Sequence, residues 1–235
     1  MRLLVLAGGF GTRLKTSIGD VPKALAPIGD VPFLQLQLEH WLSQGVQEFT
    51  FLLHHQADQI ISFLQSESLR LLRNCITNWV IEPNPMDTGG AVANAVAELH
   101  LSGDFLVTNA DTWLGSGIFE LIKSNSPSIG LVNVKDVSRY GQVQFDQNCK
   151  VICFNEKSNS SASGWVNAGI CKLSPTLFDV CHGLSFSLER KLFVELGQSG
   201  ELNAVPLNSD FLDIGIPSDY SRFCNWIANG RKGSV

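Results

Sequence analysis

The sequence predicts an α/β fold: a mixed, mainly parallel sheet flanked by helices, with a smaller β-rich part completing it. Three observations predict this. Short apolar runs alternate with longer stretches of helical period up to about residue 135. Several of those runs stop at glycine, asparagine or aspartate, which turn a chain and place polar groups at strand ends. From Tyr140 onward the apolar runs lie close together, with hairpin-like spacing.

Taken in order, Leu3–Leu6 is an apolar run halted at Gly8-Gly9, the form of a strand buried on both faces. Pro32 opens a helical pattern carried by Phe33, Leu34, Leu36, Leu38, Trp41 and Leu42 and closed by Gly45. Phe49–Leu53 reads as a strand, Asp58–Leu64 as a helix and Ile76–Ile81 as a strand. Pro83-Asn84-Pro85 then leads into an alanine-rich helix from Thr88 to Leu99. Phe105–Thr108 is a strand ending at Asn109-Ala110-Asp111, followed by helical Ile118–Ile122 and strand Ile129–Val134. Gln142–Phe145, Val151–Phe154 and Trp165–Cys171 read as the closely spaced strands. Helical stretches at Pro175–Val180 and Leu188–Leu196, a short strand Phe211–Ile214 and a helix from Pro217 to Ala228 complete the chain.

At 235 residues the chain is long enough for one large domain with a substantial core. A single domain over 1–235 is expected, with a nucleotide-binding α/β half up to about residue 135 and a mixed β half after it that completes a site. A net charge of −5 argues against a nucleic-acid surface, which requires clustered lysine and arginine. A small anionic ligand needs only a few local donors and stays open. No apolar stretch reaches the roughly 18 residues of a membrane helix. The N-terminal run Leu3–Ala7 is too short for a signal peptide's core. The six cysteines are scattered without a CxxC pair, so free thiols in a reducing cytoplasm are expected rather than a zinc site.

The most informative segment is Leu6-Ala7-Gly8-Gly9-Phe10-Gly11-Thr12-Arg13-Leu14. Glycines directly after a strand free backbone N–H groups to converge on an anion and let a ligand approach closely. A phosphate-binding P-loop would need Lys-Ser or Lys-Thr after Gly11, and a dinucleotide fingerprint would need glycine where Leu14 stands. Neither fits. The loop instead supplies a cation, Arg13, with a second in Val21-Pro22-Lys23. Such cations suit transfer at phosphorus, where the protein's task is to neutralise charge around an in-line displacement. Arg13 would hold the β- and γ-phosphates of a nucleotide, and Lys23 the α-phosphate or an incoming phosphate. A glycine turn with two solvated cations is the competing reading.

Beyond that loop, Asp87-Thr88-Gly89-Gly90-Ala91, Asn109-Ala110-Asp111, Tyr140-Gly141, Glu156-Lys157, Asn167-Ala168-Gly169 and Asp213-Ile214-Gly215 follow in order. With the loop and Pro22-Lys23, this set resembles the signature of the sugar-1-phosphate nucleotidyltransferase family and spans nearly the whole chain. The resemblance implies a Rossmann-like fold and transfer of a nucleoside monophosphate unit from an NTP to a sugar 1-phosphate, with release of pyrophosphate. It implies Arg13, Lys23, Asp111 and Asp213 as catalytic residues. The nucleotide would be bound by Leu6, Ala7, Gly8, Gly9, Gly11, Thr12 and Arg13, with Glu82, Thr88 and Gly89.

Asp111 and Asp213 each end an apolar strand, where α/β sheets place ligands. Two such carboxylates suit Mg²⁺, which takes oxygen ligands and bridges to substrate phosphates. The resemblance implies that this pair holds the metal; a lone aspartate there would read as a turn residue. Ala110 departs from the glycine common in the family. Glu82 could accept from the N1–H and N2–H₂ edge of guanine, or could be a solvated residue before Pro83. Thr88 with Gly89 and Gly90 would let a helix N-terminus approach the base or the sugar, and a simple capped helix start is compatible with that. On the sugar side the resemblance implies Gly141 and Asn167 in the pocket, Glu156 on hydroxyls and Lys157 on the phosphate. Trp165 could stack on a sugar face, and core packing is favoured for it.

The short length, Arg13-Leu14-Lys15-Thr16 and Ser187-Leu188-Glu189 are similar to the D-glycero-D-manno-heptose 1-phosphate guanylyltransferases, which implies GTP and a heptose 1-phosphate as substrates. Mannose-1-phosphate guanylyltransferase and glucose-1-phosphate thymidylyl- or cytidylyltransferase activities are the alternatives. A non-catalytic regulatory homologue that binds a nucleotide sugar belongs to a different class; losing Arg13, Lys23 or either aspartate would favour it, and none is lost. A homodimer is left open.

Overall fold

The structure, a computed structural model, describes residues 1–155, 162–181 and 183–232. Strand β1 (Leu3–Leu6) leads through the glycine loop to a one-turn helix α1 (Lys15–Ile18). A tight turn at Lys23–Leu25 and the two-residue strands β2 (Pro27–Ile28) and β3 (Val31–Pro32) precede helix α2 (Phe33–Ser43). Next come β4 (Glu48–Leu53), α3 (Ala57–Glu67), β5 (Ile76–Ile81) and α4 (Asp87–Glu98). They are followed by β6 (Phe105–Asn109), β7 (Thr112–Leu114), α5 (Ile118–Lys123) and β8 (Ser128–Val134). β9 (Gln142–Phe145), β10 (Val151–Asn155) and β11 (Gly164–Leu173) are the closely spaced strands. After a widened helical stretch at Leu188–Leu192 the chain ends in α6 (Phe193–Gln198), β12 (Asn203–Leu207), β13 (Phe211–Asp213) and α7 (Pro217–Ala228).

Alternation of strand and helix thus gives the α/β fold it predicts. β2, β3, β7 and β12 are additions. The first three are too short to display a period of two. β12 carries Pro206 and pairs with β8, an edge position where a missing N–H is tolerated.

The chain forms two compact units: Met1–Asn84 with Thr108–Gly115 and Asp210–Val235, and Pro85–Val107 with Ser116–Ser209. In the first unit β1 pairs parallel with β4, and β4 with β5. Leu3, Leu4 and Val5 are wholly buried, as a continuous apolar run on a two-sided strand requires. Pro32 precedes the first helical residue of α2, and Gly45, at φ 86°, turns the chain away after it.

One apolar cluster of this unit matters most for the site. Leu14, Ala26, Ile28, Phe33, Trp113, Leu212, Ile214, Phe223 and Trp226 pack together. Phe223 meets Phe33 and Trp113 at ring-centroid distances of 5.0 and 5.5 Å. Burying rings of this size stabilises the fold by about 2–3 kcal/mol each. The cluster therefore ties four sequence-distant segments into one frame.

In the second unit β8 pairs antiparallel with β11 and parallel with β12, and β9 pairs antiparallel with β10 and β11. Buried Lys172 on β11 donates to the carbonyls of Ile122 (3.0 Å) and Ser124 (2.7 Å) at the end of α5. An ammonium placed there satisfies carbonyls that the helix itself leaves unpaired.

Candidate active site

Asp111 and Asp213 are far apart in sequence and are brought together by a two-stranded ribbon. β13 runs antiparallel to β7, with Asp213 opposite Thr112 and Leu212 opposite Trp113. The Ile214 N–H donates to the Asp111 carbonyl at 3.0 Å, so the register continues one step beyond the strands. Leu212 and Ile214 are fully buried in the apolar cluster. Alternation along the strand then turns Asp213, between them, to the other side. Trp113 anchors the Asp111 side in the same cluster, and the Ala110 N–H donates to the Leu6 carbonyl at 3.0 Å. Gln37 of α2, wholly buried, braces the turn by donating to the Thr112 carbonyl at 2.7 Å.

Lys23 closes the constellation. Its Nζ donates to Asp111 Oδ2 and lies 3.5 Å from Asp213 Oδ1. Burial, and then the nearby Asp111 carboxylate, push the Asp213 carboxyl above its ordinary range. Lys23, the Gly215 N–H and Arg13 oppose that shift. Two carboxylates held this close around one ammonium call for further positive charge at this point. Arg13 is exposed, within electrostatic reach of Asp213, while its neighbour Leu14 is anchored in the apolar cluster. Lys23, Asp111 and Asp213 therefore converge, with Arg13 on the exposed loop within electrostatic reach of them.

Gly215 acquires a role that the sequence does not assign to it. Its N–H donates to Asp213 Oδ1 at 2.6 Å. A Cβ there would stand 2.7 Å from Asp213 Oδ1 and 3.0 Å from Lys23 Nζ. The Asp213-Ile214-Gly215 spacing is its signal, because glycine two residues after a functional aspartate lets the backbone fold back onto it.

The glycine loop leaves β1 beside these groups. Gly11 has φ 62°, and a Cβ on it would lie 3.4 Å from the Lys23 Cβ. Gly9 faces open space, with nothing within 4 Å of the position a Cβ would take. Gly8 packs so closely on the buried Glu82 that a Cβ would stand 2.8 Å from its Oε1. The Glu82 N–H continues the β4–β5 pairing by donating to the Leu53 carbonyl. Glu82 is thus a buried carboxylate beneath the loop, and the solvated alternative does not hold. Leu6, Ala7 and Thr12 complete this stretch, with the Ala7 N–H donating to the Leu52 carbonyl at 2.9 Å.

Thr88 and Gly89 belong to the second unit, where the chain around Phe186 meets them. The N–H groups of Gly89 and Gly90 donate to the Phe186 carbonyl at 2.8 and 3.1 Å. A Cβ on Gly89 would stand 2.3 Å from the Phe186 ring, and one on Gly90 2.4 Å from the Leu184 carbonyl oxygen. Close approach at these glycines is to the protein's own chain. Thr88 Oγ1 donates to Glu189 Oε2 and accepts from the Leu188 N–H. Asn167 on β11 accepts from the Gly169 N–H at 3.0 Å through Oδ1. Gly141 directly precedes β9. Glu156 and Lys157 lie outside the described residues.

A glycine loop and paired cations facing two carboxylates on strand ends form the arrangement that transfer at phosphorus demands. The whole-chain pattern agrees: residues 2–228 match the family model described as Nucleotidyl transferase, and the chain belongs to that family of enzymes. It is 31% identical over 229 residues to the D-glycero-alpha-D-manno-heptose 1-phosphate guanylyltransferase of Campylobacter jejuni, covering 95% of this chain and 98% of the relative. The mannose-1-phosphate guanylyltransferase catalytic subunit beta of Drosophila melanogaster is 30% identical over 98% of this chain, which spans 64% of its length. The crystal structure of HddC from Yersinia pseudotuberculosis superposes with a TM-score of 0.83 at 34% identity, covering 96% of this chain and 99% of that one. HddC complexed with GMP-PN gives a TM-score of 0.81. UDP-glucose pyrophosphorylase, 18% identical with a TM-score of 0.80, shares the fold.

Proposed function

We propose that this protein transfers the guanylyl unit of GTP to a heptose 1-phosphate, releasing pyrophosphate, with Mg²⁺ as cofactor. The observation that carries the reading is the convergence of Lys23 with both Asp111 and Asp213. An ammonium between two acids lies where anionic reactants must meet. The sugar phosphate oxygen is already ionised at neutral pH, so the reaction needs no general base and no covalent intermediate on the protein. Its barrier is repulsion between two anions and charge developing on the leaving pyrophosphate. Lys23 would offset charge at the α-phosphate. Arg13 and the N–H groups of the glycine loop would hold the pyrophosphate portion.

Oxygen-only donors and the repulsion between the two carboxylates fit a hard divalent cation. Among the described residues no cluster of three or more His, Cys, Asp or Glu forms a metal cage. Two protein carboxylates with water and phosphate oxygens as the other ligands is the pattern that Mg²⁺ favours. Asp111 and Asp213 would hold it, and it would supply charge screening between the two phosphates.

Guanine is supported by the buried Glu82 beneath the loop, an acceptor matched to paired N–H donors, and by the GMP-PN complex of HddC. Heptose is supported by the heptose 1-phosphate relative, which this chain matches over nearly its full length. Pyrophosphate release, measured across four NTPs and heptose, mannose and glucose 1-phosphates, tests the reading. GTP with heptose 1-phosphate should turn over fastest and only with Mg²⁺. Preference for mannose 1-phosphate would move the sugar assignment to that of the fly relative. Binding without turnover for every pair would leave a regulatory homologue.

A further inference from the structure

Strand β5 lies at an edge of the main sheet: among the described residues it pairs with β4 alone, without a bulge. The Ile76 N–H donates to the Gln47 carbonyl and the Glu82 N–H to the Leu53 carbonyl, both toward β4. In a parallel pair alternate residues turn N–H and C=O to the same neighbour, so Asn78 and Val80 face β4 as well. Thr77, Trp79 and Ile81 therefore point their N–H and C=O groups away from the sheet. Among the described residues, no backbone hydrogen bond outside the strand pairing reaches those groups.

Charges, prolines and bulges normally keep exposed strand edges from pairing with other chains. The stretch from Asn74 to Ile81 has no charged residue and no proline. Ile76, Trp79 and Ile81 are 61%, 37% and 48% exposed, and together they leave roughly 300 Å² of apolar side chain along the edge. A two-fold axis at Trp79 makes this strand its own complement. Antiparallel pairing sets Trp79 against Trp79 of a second copy and Thr77 against Ile81 on either side, so all three outward residues exchange both bonds. The ladder also stops itself at both ends. Pro83, the next outward position, has no N–H, and the Cys75 N–H is already given to the Leu72 carbonyl. A two-residue slip in either direction would face Thr77 with Pro83 or Ile81 with Cys75 and lose a bond. Each copy carries a net charge of −5, and an uncharged strand is where two of them meet without close repulsion.

We propose that β5 is a dimer interface, where a second copy of this chain pairs antiparallel about a two-fold axis at Trp79 and the sheet runs on from one copy into the next. A standard interface buries about 800 Å² per partner. One strand pair with this apolar fringe covers less, so the dimer is reversible and forms at micromolar concentration. The inference stands on the sheet edge and is independent of the reaction assigned above.

Sedimentation velocity of the full chain across the micromolar range should show a reversible monomer–dimer equilibrium. Amide hydrogen exchange, followed at both ends of that range, tests the register. The Thr77, Trp79 and Ile81 amides should gain about tenfold protection as the dimer forms. Those of Asn78 and Val80, bonded to β4, should be protected throughout and report an intact strand. Trp79→Lys and Trp79→Glu should each weaken self-association by about tenfold or more, because like charges then stand directly opposite each other. Mixing the two variants should restore association, since position 79 faces itself only across this two-fold. Ile81→Lys, on a more exposed side chain, should also weaken the dimer, and it carries the test if the Trp79 variants do not fold. A monomer at every concentration overturns the proposal. So does a dimer whose Thr77, Trp79 and Ile81 amides stay unprotected, or a mixture of folded charge variants that stays monomeric.

Discussion

Two glycine-rich turns, Gly8–Gly11 and Gly89-Gly90, look alike in sequence and serve opposite ends. The first lies between a strand and a helix and the second within the first turn of α4, and each suggests backbone N–H groups aimed at an anion. In the first, Gly9 opens onto empty space and Gly11 adopts a conformation that favours glycine. In the second, Phe186 and Leu184 occupy the room that the missing side chains leave, and the Phe186 carbonyl takes both N–H groups. A glycine records only that something comes close. Whether that something is a ligand or the chain itself is settled by the neighbours.

The largest expected effect tests the open turn's partners. Lys23→Ala and Asp111→Asn should each lower turnover about 10²–10³-fold, as loss of one preorganised charge does, with circular dichroism unchanged. Near-normal rates would break the link between the open turn and the acids.

Gly89→Ala comes next and tests the filled turn. Alanine favours a helix over glycine by up to about 1 kcal/mol, yet the ring contact at 2.3 Å should make this change destabilising by about 1–3 kcal/mol in urea unfolding. In a Phe186→Ala background the same change should be neutral or stabilising. If Gly89→Ala costs the same in both backgrounds, Phe186 is not what the glycine accommodates.

A smaller effect belongs to the frame of the open turn. His40 stacks on Trp113 with ring centroids 4.6 Å apart and bonds the Leu114 carbonyl at 2.9 Å. Burial lowers its pKa, with Arg231 adding to this and the carbonyls of Leu114 and Gly115 opposing it. Because the folded value lies below the unfolded one, this contribution to stability is complete above the ordinary value of 6.5 and is lost as pH falls through the folded value. Urea midpoints between pH 7.5 and 5 should therefore drop more steeply for the unmodified protein than for His40→Gln. Parallel slopes would remove His40 from the account.

The smallest structural effect sharpens the contrast most. Gly9→Ala should change stability by less than about 0.5 kcal/mol, because nothing meets the added methyl. It should nevertheless raise the KM for the nucleotide. An unchanged KM would mean that the open turn faces no ligand.

Much of the fold was legible because strand and helix periods are local. Leu3–Leu6, Ile76–Ile81, Gln142–Phe145 and Pro217–Ala228 have the bounds their patterns predict. β7 and β12 were not legible: three residues show no period, and Pro206 argues against a strand until an edge partner is known. Within the site, Arg13, Lys23 and the loop stand close in sequence and carry their own chemistry. The role of Gly215 needed the distance to Lys23.

By itself, then, the sequence determined the α/β class, the family and the residue types that phosphoryl chemistry requires. Turn chemistry and side-chain charge act over a few neighbouring residues, and an ordered series of such motifs is specific. The tertiary structure alone decided which groups share a point in space. Asp111 and Asp213 meet because Trp113, Leu212, Ile214 and Phe223 bury one another in a single core, and that packing sets the β7–β13 register. Long-range pairing of this kind follows from the summed burial of many side chains, which no short stretch of sequence contains.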